Sequence, residues 1–520
     1  MNSITDKVLK NTYWNISGKI IAFSLGLILT FYIVKKIGLE NYGIYSLIIA
    51  TGGYIGILDL GISTSFVKYI SEFYTLKDKD RINTLMNTGF LFYLILGIFI
   101  VFLVFFLGDF IISFLNIPTN FKEEAFKVFI LYSLILAFSG VFSPFTAVLL
   151  GIQRMDISNK ILSLTAILNA LGAVLFLELG MGLYGLVLNN LIILIISSLI
   201  NIYISFNMLP GLVFNPFLFS KDMFLKIFGY GYKLQVTKLS SIFSSHLEKL
   251  ILSRLLSLNY VAFYQLGNSL VEQIKNVPLL LTGALFPAFS EMGASNRIKD
   301  IKEGYIRGTK YLAFITVPIL AFVSAFAYAF FMLWFGHGYD NAAYIAAMIS
   351  WGYMINTIFG GVGAALVQGI GRTDIQMKGA ILNLALNISL SYIFIYKFGF
   401  KGAALGTAFS LSFAVLYFTF LLNKFLDIPI LKLFKIAFIK FFLAGFLAFL
   451  FVFLIVYGRD FSSRFDAIKY LISGAFLYLA IYLFIVYWLK AFDNEDIDFF
   501  YKVKNSFLNF VKLKRDEKNN

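Results

Sequence analysis

The chain has 520 residues, of which 59% are hydrophobic and 14% charged, with a mean hydropathy of +0.83; that much apolar surface excludes a water-soluble protein and makes lipid the solvent for most of the fold. It has no Cys and two His, which excludes disulfide staples, thiolate metal sites, cysteine nucleophiles and a His-built metal centre. The formal net charge of +15 is carried between apolar runs rather than in one soluble patch, which points to membrane topology and away from nucleic acid.

In chain order, fourteen runs are long enough to cross about 30 Å of hydrocarbon as helices. The first six are expected near 12–34, 43–67, 84–107, 125–150, 159–178 and 183–207, and the next six near 230–256, 260–287, 311–335, 341–368, 379–396 and 402–423. Two more are expected near 436–457 and 467–489. The runs are too long and unbroken for the alternating strands of a barrel. The fold class is therefore all-α and polytopic. Met1–Asn11 leads directly into a span, lacks a small-residue cleavage site and is expected to be retained.

Lys and Arg concentrate at the N-terminus, in the even-numbered loops and in the C-terminal tail, with clusters at Lys77, Lys79 and Arg81 and at Arg297, Lys299, Lys302, Arg307 and Lys310. The richer side is expected to be cytoplasmic, so both termini should lie on the cytoplasmic side of the cytoplasmic membrane. The basic tail would also contact anionic headgroups.

An internal repeat is visible. Gly151 to Ile157 reads GIQRMDI and Gly369 to Ile375 reads GIGRTDI, and Asn169 and Asn387 follow the two motifs at the same separation from each other. Leu39 to Tyr45 resembles Leu258 to Tyr264 at nearly the same offset. The spans are thus expected to form two pseudo-symmetric six-helix lobes, 1–210 and 211–425, followed by two extra helices over 426–490 and a basic cytoplasmic tail over 491–520. Units with even span numbers relate by an axis along the membrane normal and leave a central cleft, an arrangement that suits a transporter.

The stretch GLENYGIYSL from Gly38 to Leu47, the Asp59-Leu-Gly61-Ile sequence and the GIQRMDISNK loop resemble the polysaccharide-transport branch of the multidrug/oligosaccharidyl-lipid/polysaccharide exporter superfamily, which includes O-antigen flippases. The resemblance implies export of a lipid-linked sugar. Branches of the superfamily with two additional spans also include the flippase for the peptidoglycan precursor.

Ionisable residues within spans are functional candidates because each is costly in hydrocarbon. Lys233, Thr237, Ser241 and Glu248 share one face of span 7, with Lys238 on the adjacent stripe. Asn15 and Lys19 occupy the corresponding part of span 1. Lys19, Lys233 and Lys238 would make a cationic floor suited to the diphosphate of a polyprenyl-linked sugar, with Asn15, Thr237 and Ser241 beside them. Asp59, Glu248 and Glu272 are candidates for binding a coupling H+ or Na+, or for charge pairing, with Lys275 one turn from Glu272. Lys68 and Glu72 are expected to pair. Arg154 with Asp156 and Arg372 with Asp374 are candidate loop-closing gates. Pro278 and Pro318 are expected to interrupt spans 8 and 9.

No phosphate-binding loop or ATPase segment is present, and no cofactor is expected. Three functions compete: a lipid-linked oligosaccharide flippase, a cation-coupled multidrug exporter of the same fold, and a membrane glycosyltransferase or polymerase. The third would need catalytic groups in a sizeable outer loop, and the longest expected, 108–124, offers only Asp109, Glu123 and Glu124 without recognisable spacing. The expected partners are the lipid-linked sugar, membrane lipids and polysaccharide-assembly proteins.

Overall fold

A computed structural model describes residues 2–498 apart from 60, 216–217, 296 and 457–462; side chains before residue 25, and those at positions including 232–234, 236–238, 240–241 and 244–245, are outside the described set. The described elements are helical throughout. In the first half, α1 (Asn2–Ile55) turns at Gly38, whose φ of 82° is open to glycine. A 3-10 turn at Gly56–Asp59 then leads to α2 (Ile62–Thr75), α3 (Lys79–Phe114), α4 (Lys122–Gly151), α5 (Met155–Glu178) and α6 (Gly182–Met208).

The second half comprises α7 (Lys221–Leu255), α8 (Leu258–Leu279), a 3-10 turn at Leu280–Ala284, α9 (Leu285–Ala294), α10 (Ile298–Trp334), α11 (Asp340–Gly369), α12 (Thr373–Phe398) and α13 (Phe400–Leu426). The chain ends in α14 (Ile430–Ala437), α15 (Ile439–Val456) and α16 (Arg464–Trp488). Side-chain oxygens of Asp78, Ser220 and Ser463 cap α3, α7 and α16 by accepting from Arg81, Met223 and Asp466 amides.

Among the described residues nine helices are long and apolar enough to span a membrane, or ten if the pair α14 and α15, bent by 47°, is one span. A count of fourteen is compatible once the two arms of α1, the broken α8 to α9 segment and the polar α7 are included. α3 presents Phe102, Phe105, Phe106 and Phe110 on its open face. α10 and α11 lie at the centre of the second half, packed against each other and, for α10, against α15 and α16.

Several local expectations are corrected. Spans 2 and 8 are each interrupted, at 56–61 and at 280–284, rather than continuous. Pro278 does end α8, but α10 passes through Pro318 unbroken. The 108–124 loop is shorter than expected, because α3 runs to Phe114 and α4 starts at Lys122. Glu72 pairs with Lys226 at 3.4 Å, while Lys68 lies over the Tyr69 and Tyr230 rings, so the expected Lys68 and Glu72 pair does not form.

The halves meet along two seams. A Cβ at Gly43 would overlap the Leu258 carbonyl, and one at Gly61 would overlap the Gly231 carbonyl; both seams therefore bring backbone against backbone. Side chains stitch the second one: Ser65 Oγ donates to the Ile227 carbonyl at 2.8 Å and Gln235 Nε2 to the Ile57 carbonyl at 3.0 Å. The described residues just after α16 are tied back onto α10. Lys310 of α10, 4% exposed, forms an ion pair with Asp496, 1% exposed, and lies 3.2 Å from Asp493.

Candidate functional site

Each break leaves space beside it. In the first half, the turn at Gly56–Asp59 puts Asp59 into a cavity of about 200 Å³ that Ser63, Tyr93 and Ser143 also line. Asp59 is sewn in place: Ser63 Oγ donates to it at 2.9 Å, the Ser63 amide at 3.3 Å, and the Tyr93 phenol also donates to it. In the second half, the break after Pro278 borders a cavity of about 580 Å³ lined by α8, α9, α11, α12 and α13, with Glu272, Lys275, Tyr353, Asn356, Gln368, Gln376 and Asn383 among its walls. Lys275 Nζ lies 3.7 Å from Glu272 and 3.8 Å above the centre of the Tyr353 ring, and the Tyr353 phenol donates to Asn268 at 3.1 Å and Glu272 at 3.2 Å.

Glu248 occupies a separate, closed position. It is fully buried between α7, α12 and α13, and one carboxylate oxygen accepts from Thr407 at 2.7 Å, Asn387 Nδ2 at 2.8 Å and Ser391 at 3.2 Å. Its other oxygen and the Asn387 carbonyl oxygen are buried without hydrogen-bond partners among the described residues. Two orphaned acceptors in a buried carboxylate site are what a proton or an oxygen-liganded monovalent cation would satisfy. The first half has a matching but uncharged cluster, in which Asn169 donates to Asn190 at 2.8 Å and Asn190 to Tyr45 at 3.2 Å. Tyr45 and Asn169 are the repeat counterparts of Tyr264 and Asn387, and Tyr264 bonds Thr407 at 2.8 Å.

A third feature is an apolar groove of about 420 Å³ between α8, α10 and α16, walled by Leu270, Ile274, Phe322, Phe326, Leu471 and Tyr478. Leu270 and Ile274 face it, whereas Glu272 and Lys275 of the same helix line the polar cavity.

Of the sequence candidates, Glu272 and Lys275 come together, while Asp59 and Glu248 lie in different halves and do not form one cluster. His246 lies within 3.2 Å of Lys249 Nζ and edge-on to Tyr54. Arg154 grips Asp156 bidentately at 2.9 and 3.0 Å, and Arg372 grips Asp374 at 2.8 and 3.0 Å, each after a left-handed residue, Gln153 and Gly371. Asn15, Lys19, Lys233, Thr237, Lys238 and Ser241 fall on helical backbone of α1 and α7, but their side chains lie outside the described residues. Sequence reasoning did not single out Tyr353, Asn356, Gln376, Ser391 or Thr407. Of these, Thr407 carried a signal, since it falls opposite Asn189 at the same offset that relates the GIQRMDI and GIGRTDI motifs.

The family model described as "Polysaccharide biosynthesis protein" matches residues 8–293. The chain is 22% identical over 370 residues to a Shigella flexneri protein named "Putative O-antigen transporter", covering 71% of this chain and 86% of that one. Its fold matches an inward-facing multidrug resistance MATE family transporter of the MOP superfamily with a TM-score of 0.71 and 16% identity, over 82% of this chain and 99% of that one. It also matches lipid II flippase MurJ in an inward closed conformation, with a TM-score of 0.69 and 16% identity, over 92% and 99% of the two chains. With more than half of its residues matched by that family model, the chain belongs to the polysaccharide biosynthesis protein family, and it shares its fold with the MATE transporter and with MurJ.

Proposed function

We propose that this chain is a transporter that flips a polyprenyl-diphosphate-linked oligosaccharide, a surface-polysaccharide precursor, across the cytoplasmic membrane by alternating access. The observation that carries the reading is the two-faced α8, with an apolar groove on one side and a polar cavity on the other. A substrate with a sugar head and a hydrocarbon tail needs both surfaces at one depth. A small apolar drug would need only the groove. The family match and the name of the Shigella flexneri relative support a polysaccharide substrate.

In this reading the halves 1–210 and 211–425 rock about the seams at Gly43 and Gly61, both termini are cytoplasmic, and the lysines of α1 and α7 meet the diphosphate. The Arg154 and Arg372 turns would hold the loops closed at matching positions in the two halves. Glu248 with Asn387, Ser391 and Thr407 is the coupling site for H+ or Na+, because it offers buried acceptors that no described residue satisfies. Proteins that assemble the polysaccharide would receive the flipped product.

The test is gene deletion followed by measurement of lipid-linked sugars on each leaflet, with complementation by the wild-type chain and by Lys19→Ala, Lys233→Ala and Lys238→Ala. Accumulation on the inner leaflet that only the wild type fully reverses supports the reading. Normal sidedness with altered drug efflux overturns it in favour of the cation-coupled exporter, and accumulation of the peptidoglycan precursor alone would reassign the substrate.

A further inference from the structure

We infer that the cavity beside the α8 break is a subsite for an uncharged sugar unit bearing hydroxyl or acetamido groups, and that it excludes the diphosphate. The inference rests on the flippase reading and adds which part of the headgroup sits where. The cavity, about 580 Å³, is of the size that small-molecule sites have.

Four of its seven uncharged polar side chains are amides. Asn356 and Gln368 come from α11, and Gln376 and Asn383 from α12. An amide donates and accepts, as a sugar hydroxyl does, whereas a phosphate accepts only and is served by donors and cations. Gln368 already donates to Gln376 at 3.0 Å, an exchangeable bond of the kind a hydroxyl can replace. Thr357 also lines the space, and its hydroxyl is buried without a hydrogen-bond partner among the described residues.

Charge gives the exclusion. Among the described lining residues Lys275 is the sole cation and Glu272 the sole anion, 3.7 Å apart, so the walls sum to zero. Lys275 is further engaged by the Tyr353 ring. A diphosphate would meet Glu272 at close range in a low-dielectric space, where like charges repel strongly. An uncharged ring meets no such opposition. Room is kept by α11, which presents Gly360, Gly361 and Ala364; a Cβ at Gly360 would have only Val415 within 4 Å.

The natural absence of Cys makes the test direct. Ala364→Cys and Ala380→Cys put one thiol on each of two walls, and the rate of their reaction with a neutral maleimide is measured on the detergent-solubilised full chain. The probes are a panel of neutral disaccharides headed by N,N′-diacetylchitobiose and maltose, and inorganic pyrophosphate. At saturation at least one neutral disaccharide should slow labelling at both positions by about tenfold, pyrophosphate should leave it unchanged, and adding Gln376→Leu should remove the protection without changing the unprotected rate. Protection by pyrophosphate, or by no member of the panel, overturns the subsite. Leaflet sidedness is independent of this measurement: a normal distribution in the deletion strain with sugar protection intact would defeat the flippase reading while leaving a sugar site standing.

Discussion

The two halves of the chain break a membrane helix at a comparable place and use the space in opposite ways. Beside the first break the chain keeps a small cavity and ties its carboxylate, Asp59, to Ser63 and Tyr93. Beside the second it opens a space nearly three times larger, faced with amides and a neutralised Lys275 and Glu272 pair. The polar clusters deeper in each half diverge in the same direction. Tyr45, Asn169 and Asn190 bond one another, whereas Tyr264 and Asn387, the counterparts of Tyr45 and Asn169, join Thr407, the counterpart of Asn189, around a carboxylate with an oxygen left over. One scaffold is thus used twice, with an uncharged cluster in the first copy and a carboxylate that keeps an unsatisfied oxygen in the second.

The largest expected effect breaks that contrast at its sharpest point. Glu248→Gln keeps the volume and removes the charge, and should lower flipping in inverted membrane vesicles by about 10–100-fold with loss of its dependence on the cation gradient. Asp59→Asn, measured alongside, should transport at close to the wild-type rate; the reverse pattern would exchange the roles of the two carboxylates. Next, Gly61→Ala forces a side chain onto the Gly231 carbonyl at a φ of 75°, and should cost about 3 kcal/mol in thermal unfolding in detergent. An unchanged unfolding temperature would mean that the seam is not closed there.

A smaller effect separates structure from coupling in the first half. Asp59→Ala strands the Tyr93 phenol and the Ser63 hydroxyl, and should cost about 2 kcal/mol of stability, read by the same denaturation assay. The smallest effect probes where the halves agree. Arg154→Ala and Arg372→Ala each remove an ion pair whose partners are about two-fifths exposed on the arginine side, so each should cost under about 1 kcal/mol. Equal losses would sharpen the equivalence of the two turns, and a markedly larger loss at one would show that its loop does more than close.

Period and punctuation made much of the fold legible. Apolar run length marked the spans, and the GIQRMDI and GIGRTDI turns fold into matching geometry because an Arg and the Asp next but one to it can close a loop locally. The breaks were harder. Pro278 announces the one in α8, but nothing as strong marks 56–61, where glycines permit the turn and the tertiary seam demands it. The Glu248 site was half readable: an acid inside a span is conspicuous, yet its donors lie 139 to 159 residues away on other helices. The large cavity was invisible for the same reason, since its walls are contributed by five helices and its amides look ordinary one at a time. Lys68 and Glu72 were paired by helical spacing alone, and aromatic rings and Lys226 competed successfully for both.

The ion pair of Lys310 with Asp496 bears on how the protein can be handled. A truncation placed just after α16, where the apolar runs stop, would remove the carboxylates that neutralise an ammonium only 4% exposed, at a cost of about 3–5 kcal/mol. Purification tags and fluorescent fusions therefore belong beyond residue 498, and a shortened version that expresses poorly would reflect a severed anchor for α10 rather than a missing transport element.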